Sequence, residues 1–230
     1  MKYKEIKKAI FLDRPNRFIA YVLLDGEEEI VHVKNTGRCK EILKKGIPVL
    51  LEKATNPNRK TKYSLVGAYK DHKILINIDS QITNYVAYEG ILNNQIEELK
   101  DIDHLKKEVK HKNSRFDFYY EKGNTKGFIE VKSVTLEKNG ECIFPDAPTE
   151  RGRKHIHELI NLQREGYENY ILFLIQIEDM KSFGANGITD PKFEEVLKMA
   201  KKKGIKILAY DCFVREDELM IKNKVTPVIE

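Results

Sequence analysis

With 230 residues, 41% of them hydrophobic and 33% charged, the chain has the length and balance of a folded protein of one large or two small domains, outside the disordered range. No apolar run approaches the roughly 20 residues of a membrane-spanning helix, and three widely spaced cysteines without a Cys-x-x-Cys pair argue against a disulfide framework or a structural zinc site, so the expected address is the cytoplasm. The net charge of +5 is uneven: residues 1–88 carry 17 Lys/Arg against 10 Asp/Glu and the remainder 24 against 26, which puts the basic surface in the first third, where it suits a polyanionic partner.

In chain order, the first ~80 residues read as short strands with turn punctuation. "EIKKAIFLD" leads to "RPNRF", whose Phe18 is expected to enter the core, and then to "FIAYVLLDG", where Asp25-Gly26 is a hairpin turn pair. "EEIVHVKN" follows, then "TGRCKEILKKG", read as a short helical turn ending at Gly46, and then the strands "IPVLLEKA", "YSLVGAYKD" and "HKILINI". Five or six short strands in this length predict a small β-barrel, the oligonucleotide-binding (OB) type among the options. Unpaired barrel edges would leave room for a homodimer.

After Ile78 the spacing changes. "SQITNYVAYEGILNNQIEEL" carries apolar residues at helical intervals, "HLKKEVKH" follows, and then comes a hairpin, "SRFDFYYEKGNTKGFIEVKSV". "EKNGECIFPDAPTERG" reads as a loop. "RKHIHELINLQREG" is an amphipathic helix stopped by Gly166, "NYILFLIQI" a strand buried on both faces, "DPKFEEVLKMAKKKG" a second helix with Pro191 near its start and Gly204 at its end, and "IKILAYDCFV" a further strand. The expected architecture is α/β, or α+β taken over the whole chain: a barrel domain over residues 1–80 and a mixed-sheet domain with flanking helices over 81–230.

The hairpin carries the chemistry. Alternation places Phe116, Phe118 and Tyr120 on one face and Asp117 on the other, and in the second strand sets Glu130 and Lys132 together, opposite Ile129 and Val131. Two carboxylates on adjacent strands can converge on one divalent cation, Mg²⁺ or Mn²⁺, and a lysine two residues past the glutamate can hold the attacking water or steady charge on a phosphate. A third acidic ligand from the preceding helix would complete the shell: Glu89 is the first choice and Glu108 its competitor. Charged groups set in a largely apolar sheet are costly unless paired or metal-bound, which favours a site over decoration.

Helix, three strands, helix and strand, with Asp117, Glu130 and Lys132 in these places, resembles the PD-(D/E)xK nuclease superfamily. One departure is that Phe116, not a proline, precedes Asp117; the literal Pro145-Asp146 falls after the triplet and is set aside. "RPNRF", "VHVKNTGR", "SRFDF", "EVKSVTL", "FPDAPTERGRKH" and "LAYDC", spread from residue 14 to 212, together look like the sugar fermentation stimulation protein family. The resemblance implies an OB-type barrel followed by a nuclease-like domain, and DNA binding with little sequence preference. The family's name reflects a proposed regulatory role in maltose metabolism in bacteria, so a non-catalytic DNA-binding regulator stands as the alternative to a metal-dependent nuclease.

A nucleic-acid backbone has candidate contacts in both halves. Arg14, Asn16 and Arg17 flank a proline-stiffened turn, and Asn35, Thr36, Gly37 and Arg38 offer donors near an expected helix start, whose amides favour anions. Arg115 abuts Asp117, and Arg151, Arg153, Lys154 and His155 stand at a helix start, where cations oppose the helix dipole unless an anion is bound. DNA is the first partner to test. The residues leave open DNA against RNA, and single against double strands.

Overall fold

The structure is a computed structural model that describes residues 1–35, 37–112 and 114–229; Thr36 lies outside the described residues. Strands β1 (Ile6–Asp13), β2 (Ile19–Leu24), β3 (Glu27–Val33), β4 (Pro48–Lys53), β5 (Tyr63–Lys70) and β6 (Ile74–Asn77) form one sheet in the order β3-β2-β1-β4-β5-β6. Parallel pairing of β3 with β5, His32 opposite Ser64 and Val33 opposite Leu65, closes it into a barrel.

Period-two alternation builds the barrel interior: Ala9 and Phe11, Ala20, Val22 and Leu24, then Val31 and Val33 point inward. Asp25 (φ 52°) and Gly26 (φ 89°) make the β2–β3 turn, both in the left-handed region that a two-residue hairpin requires. Leu50 and Val66 point outward instead, into a second core with Ile82, Val86 and Ala87. The short helical turn expected before Gly46 is present as one helical hydrogen bond, from Leu43 N–H to the Cys39 carbonyl, with turns at residues 40–42 and 45–46. One expectation is corrected here. Phe18 does not enter the core: it is 56% exposed, because the Asn16 side chain accepts from the backbone N–H groups of Phe18 and Ile19 and holds the turn at the barrel rim.

The second half follows as α1 (Thr83–Leu92), a 3₁₀ turn (Glu97–Leu99), β7 (His104–His111), β8 (Ser114–Lys122), β9 (Thr125–Val134), β10 (Glu137–Lys138), β11 (Glu141–Phe144), α2 (Glu150–Arg164), β12 (Tyr170–Ile175), β13 (Ser182–Ala185), α3 (Pro191–Lys202), β14 (Lys206–Val214), β15 (Leu219–Lys224) and β16 (Thr226–Val228). The main sheet has the order β15-β14-β12-β9-β8-β7, with β12 parallel to both β9 and β14 and buried along its whole length. One face carries Ile171, Phe173 and Ile175 against Ile156 and Leu159 of α2; the other carries Leu172 and Leu174 in the core shared with α1.

The segment expected to be a loop after β9 holds β10 and β11, which join β13 and β16 in a small second sheet. These strands are two to four residues long and too short to show an alternation. The N-terminal residues also leave the barrel: Tyr3 N–H donates to the Asp217 carbonyl at 2.8 Å, and Leu219 N–H to that of Met1 at 3.0 Å. Gly127 permits a close passage of the chain, since a Cβ there would collide with the Glu168 carbonyl. Among the described residues no helix is long and apolar enough to cross a membrane.

Candidate active site

β8 and β9 are paired from Lys122–Thr125 up to Phe118–Ile129, and the ladder ends at the next pair, Asp117 and Glu130. On the other side, the β7–β8 register skips Glu108 and Asp117, and Glu108 has φ 52°. The alternation breaks at this point. Phe116 packs on Phe128, 4.9 Å between centroids, on the α2 face, whereas Phe118 stacks on Tyr88 of α1 at 6.1 Å. The expectation that Phe116, Phe118 and Tyr120 share a face is therefore corrected. The irregularity frees the Asp117 carboxylate to accept from Val131 N–H and from the Asn84 side-chain amide, each at 2.7 Å.

Glu130 lies on the α2 face and is 2% exposed. Its Oε1 is shared by Lys132 Nζ, at 2.5 Å, and by His155 Nδ1 of α2. Its Oε2 is buried and has no hydrogen-bond partner among the described residues. Burial works against the ionised form, but the Lys132 ammonium and the His155 hydrogen bond outweigh it, so the Glu130 carboxyl titrates below its ordinary range. Asp117 goes the other way: burial first, and the Glu130 charge second, push its carboxyl up to about 6.

Asp117, Glu130 and Lys132 thus come together. Glu89 does not join them. It pairs with the Met1 amine at 2.7 Å, because five residues along α1 from Asn84 is about 140° round the helix and about 7.5 Å along it. Glu108 is exposed and lies 3.6 Å from Arg115, which is exposed too. Among the described residues no three His, Cys, Asp or Glu side chains gather as a metal-binding group. The carboxylates that meet at the hairpin are therefore Asp117 and Glu130, without the third acidic residue expected from the helix.

The basic residues divide by what they already hold. Arg14 donates to the carbonyls of Arg17, Asn35 and Arg38 at 2.7–2.9 Å, so it braces two loops. Asn35 is buried between Gly37 N–H and the Ile78 carbonyl, and Asn16 caps its turn. Arg153 is bound to Asp190 at 2.6 Å. Arg17 and Arg38 are exposed and line a cleft of about 430 Å³ between the barrel and the second domain, with Ser133 and Thr135 on its far wall. Asp146, set aside in the sequence, also lines it and accepts from Arg38 N–H at 3.1 Å. Arg151 and Lys154 are exposed on the first turn of α2. Arg151 is one turn before His155 on the same side, and Lys154 lies 3.9 Å from Glu158.

Three side chains around the site escaped the sequence reading or were misplaced by it. Asn84 holds Asp117, and His155, grouped there with phosphate contacts, holds Glu130. The third is fully buried Gln176, which donates to Asn77 Oδ1 and to the Asp79 carbonyl at the barrel exit and accepts from Ser133 and Thr83. A glutamine at the end of an otherwise apolar run was its one visible signal.

A closed OB-like barrel followed by a mixed-sheet α/β domain, with an aspartate and a Glu-x-Lys triplet at a splayed hairpin, defines the class: a two-domain protein that joins an OB-type barrel to an α/β domain. The comparisons are more specific. Residues 12–78 match the SfsA N-terminal OB domain, and residues 81–218 the sugar fermentation stimulation protein RE domain. Sugar fermentation stimulation protein homologs of Clostridium perfringens strain SM101 and Clostridium beijerinckii are 56% and 52% identical, each over 100% of both chains. The structure of Pyrococcus furiosus SfsA in complex with Ca²⁺ is similar at a TM-score of 0.91 and 29% identity, over 100% of this chain and 98% of that one. The chain belongs to the sugar fermentation stimulation protein family.

Proposed function

We propose that this protein binds nucleic acid through its barrel and interdomain cleft and hydrolyses phosphodiesters at the β8–β9 hairpin with a divalent cation, Mg²⁺ or Mn²⁺. The observation that carries this reading is the convergence of Asp117, Glu130 and Lys132 where the two strands part, with one buried Glu130 oxygen unpaired.

The donor set fits a hard cation. It consists of carboxylate oxygens, one of them without a partner among the described residues, and Asp117 bears a burial penalty that a cation would relieve. Two carboxylates suit an ion that keeps several waters or takes phosphate oxygens. The Ca²⁺ complex of the Pyrococcus furiosus relative supports a divalent site in this chain as well. When bound, the cation would polarise the phosphate and acidify a coordinated water. Asp117 and Glu130 would hold it. Lys132 would leave Glu130 Oε1 for the attacking water or a phosphate oxygen, placing positive charge where negative charge grows. Arg17 and Arg38, across the cleft from Ser133, would track the backbone and supply a salt-sensitive affinity.

The test is cleavage of labelled single- and double-stranded DNA and RNA by wild type, Glu130→Ala and Lys132→Ala, with Mg²⁺, Mn²⁺ or a chelator. Metal-dependent cutting by wild type alone, with binding retained in the variants, is the expected result. Binding that survives chelation with no cutting of any substrate would overturn the nuclease reading in favour of a non-catalytic DNA-binding regulator.

A further inference from the structure

His155 sits in the first half of α2, 6% exposed, with its ring 6.1 Å from that of Phe116. The loop before the helix is tied down: Thr149 Oγ1 accepts from Gly152 N–H at 3.1 Å, and Asp190 accepts from Thr149 N–H and Arg153. The imidazole is thereby held against the sheet, and its Nδ1 meets Glu130 Oε1. That oxygen has a second partner in Lys132 Nζ, whereas Oε2 of the same carboxylate has none among the described residues.

We propose that His155 is a positioning residue for the hairpin's cation site: its Nδ1–H fixes the Glu130 carboxylate by Oε1, presents Oε2 to the metal, and lets Lys132 depart without leaving a buried carboxylate oxygen unpaired. A buried carboxylate held only by Lys132 would keep that ammonium, since withdrawing it would orphan a charged acceptor. With His155 present, Oε1 stays satisfied while Lys132 turns to substrate. A partner of this kind behind a metal ligand typically changes metal affinity by about 10- to 100-fold when removed.

This rests on the reading of the hairpin as a divalent-cation site, and the test separates the two. Mn²⁺ and Ca²⁺ titrations by calorimetry, without nucleic acid, would compare wild type with His155→Asn, His155→Leu and His155→Phe, alongside thermal unfolding in chelator. The Asn Nδ2 stands close to where the imidazole Nδ1 was and restores a donor. Leu removes the donor, and Phe does so while keeping a ring beside Phe116. Affinity at least about tenfold weaker in whichever of Leu or Phe folds, and within about threefold of wild type in Asn, is the expected result. Equal metal affinity in all the folded variants would overturn the positioning role, as would an Asn variant as weak as the donorless ones. Failure of wild type to bind either cation would instead overturn the metal-site reading.

Discussion

Replacing Asp117 by asparagine should stabilise the metal-free protein, and by an amount that depends on pH. The folded-state carboxyl is pushed up to about 6 from its ordinary 3.8, by burial and by Glu130. Between those values the folded chain holds more protons than the unfolded one, so this group makes stability fall as pH rises, with the whole penalty present above pH 6. At 1.36 kcal/mol per unit the penalty is about 3 kcal/mol at pH 7.5, and the same linkage leaves about 1.6 kcal/mol at pH 5. The asparagine keeps one acceptor for Val131 N–H, and the Asn84 amide can turn to meet its new NH₂ group. Whatever that exchange costs does not vary with pH, so it cancels in the difference, about 1.4 kcal/mol between the two conditions.

Urea unfolding in chelator at pH 5 and 7.5 measures that difference directly. In thermal scans it corresponds to roughly 3–6 °C, at about 2–4 °C per kcal/mol for a chain of this size. Added Mn²⁺ or Ca²⁺ should raise the wild-type midpoint, by about 2.7 kcal/mol at a hundred times the dissociation constant, and leave the variant nearly unmoved. A variant destabilised equally at both pH values would refute the argument, because Asp117 would then be a structural acceptor with no charge penalty to relieve.

The basic residues should separate in solution as they do in the structure. Arg17→Ala and Arg38→Ala should each lower the slope of log affinity against log salt by roughly 0.9 on duplex and 0.7 on single strands, measured by fluorescence anisotropy, with little effect on stability. Arg14→Ala should instead destabilise by about 3 kcal/mol in urea unfolding, because three loop carbonyls lose a charged donor. Gln176→Leu should cost about 2–4 kcal/mol by the same measurement, leaving Asn77, Ser133 and the Asp79 carbonyl short of a buried partner. Gly127→Ala should lower the melting temperature by several degrees, since the obstacle to its Cβ is backbone.

What could be read from the amino acids, and what could not, follows from the range of the interactions. The barrel strands, the Asp25-Gly26 turn, the glycine stops after α2 and α3 and the buried strand β12 are all written in local spacing and turn chemistry, and all are found. The Asp117–Glu130–Lys132 group was legible for a similar reason, as charges in an apolar hairpin carry their own signal. Glu89 was misplaced because a helical pattern tells which residues face inward without telling which turn faces a given strand. Phe116 was put on the wrong face because a strict alternation cannot register a break in pairing, and that break is what turns Asp117 toward Val131. His155 and Gln176 act through partners 25 and 43 or more residues away, so their roles could be seen only once the chain was folded. The features that convert a charged hairpin into a candidate catalytic site are thus the long-range ones. The β8–β9 ladder opens at Asp117 and α2 brings an imidazole against Glu130, and the proposed chemistry of the two carboxylates and the lysine on one phosphate depends on both.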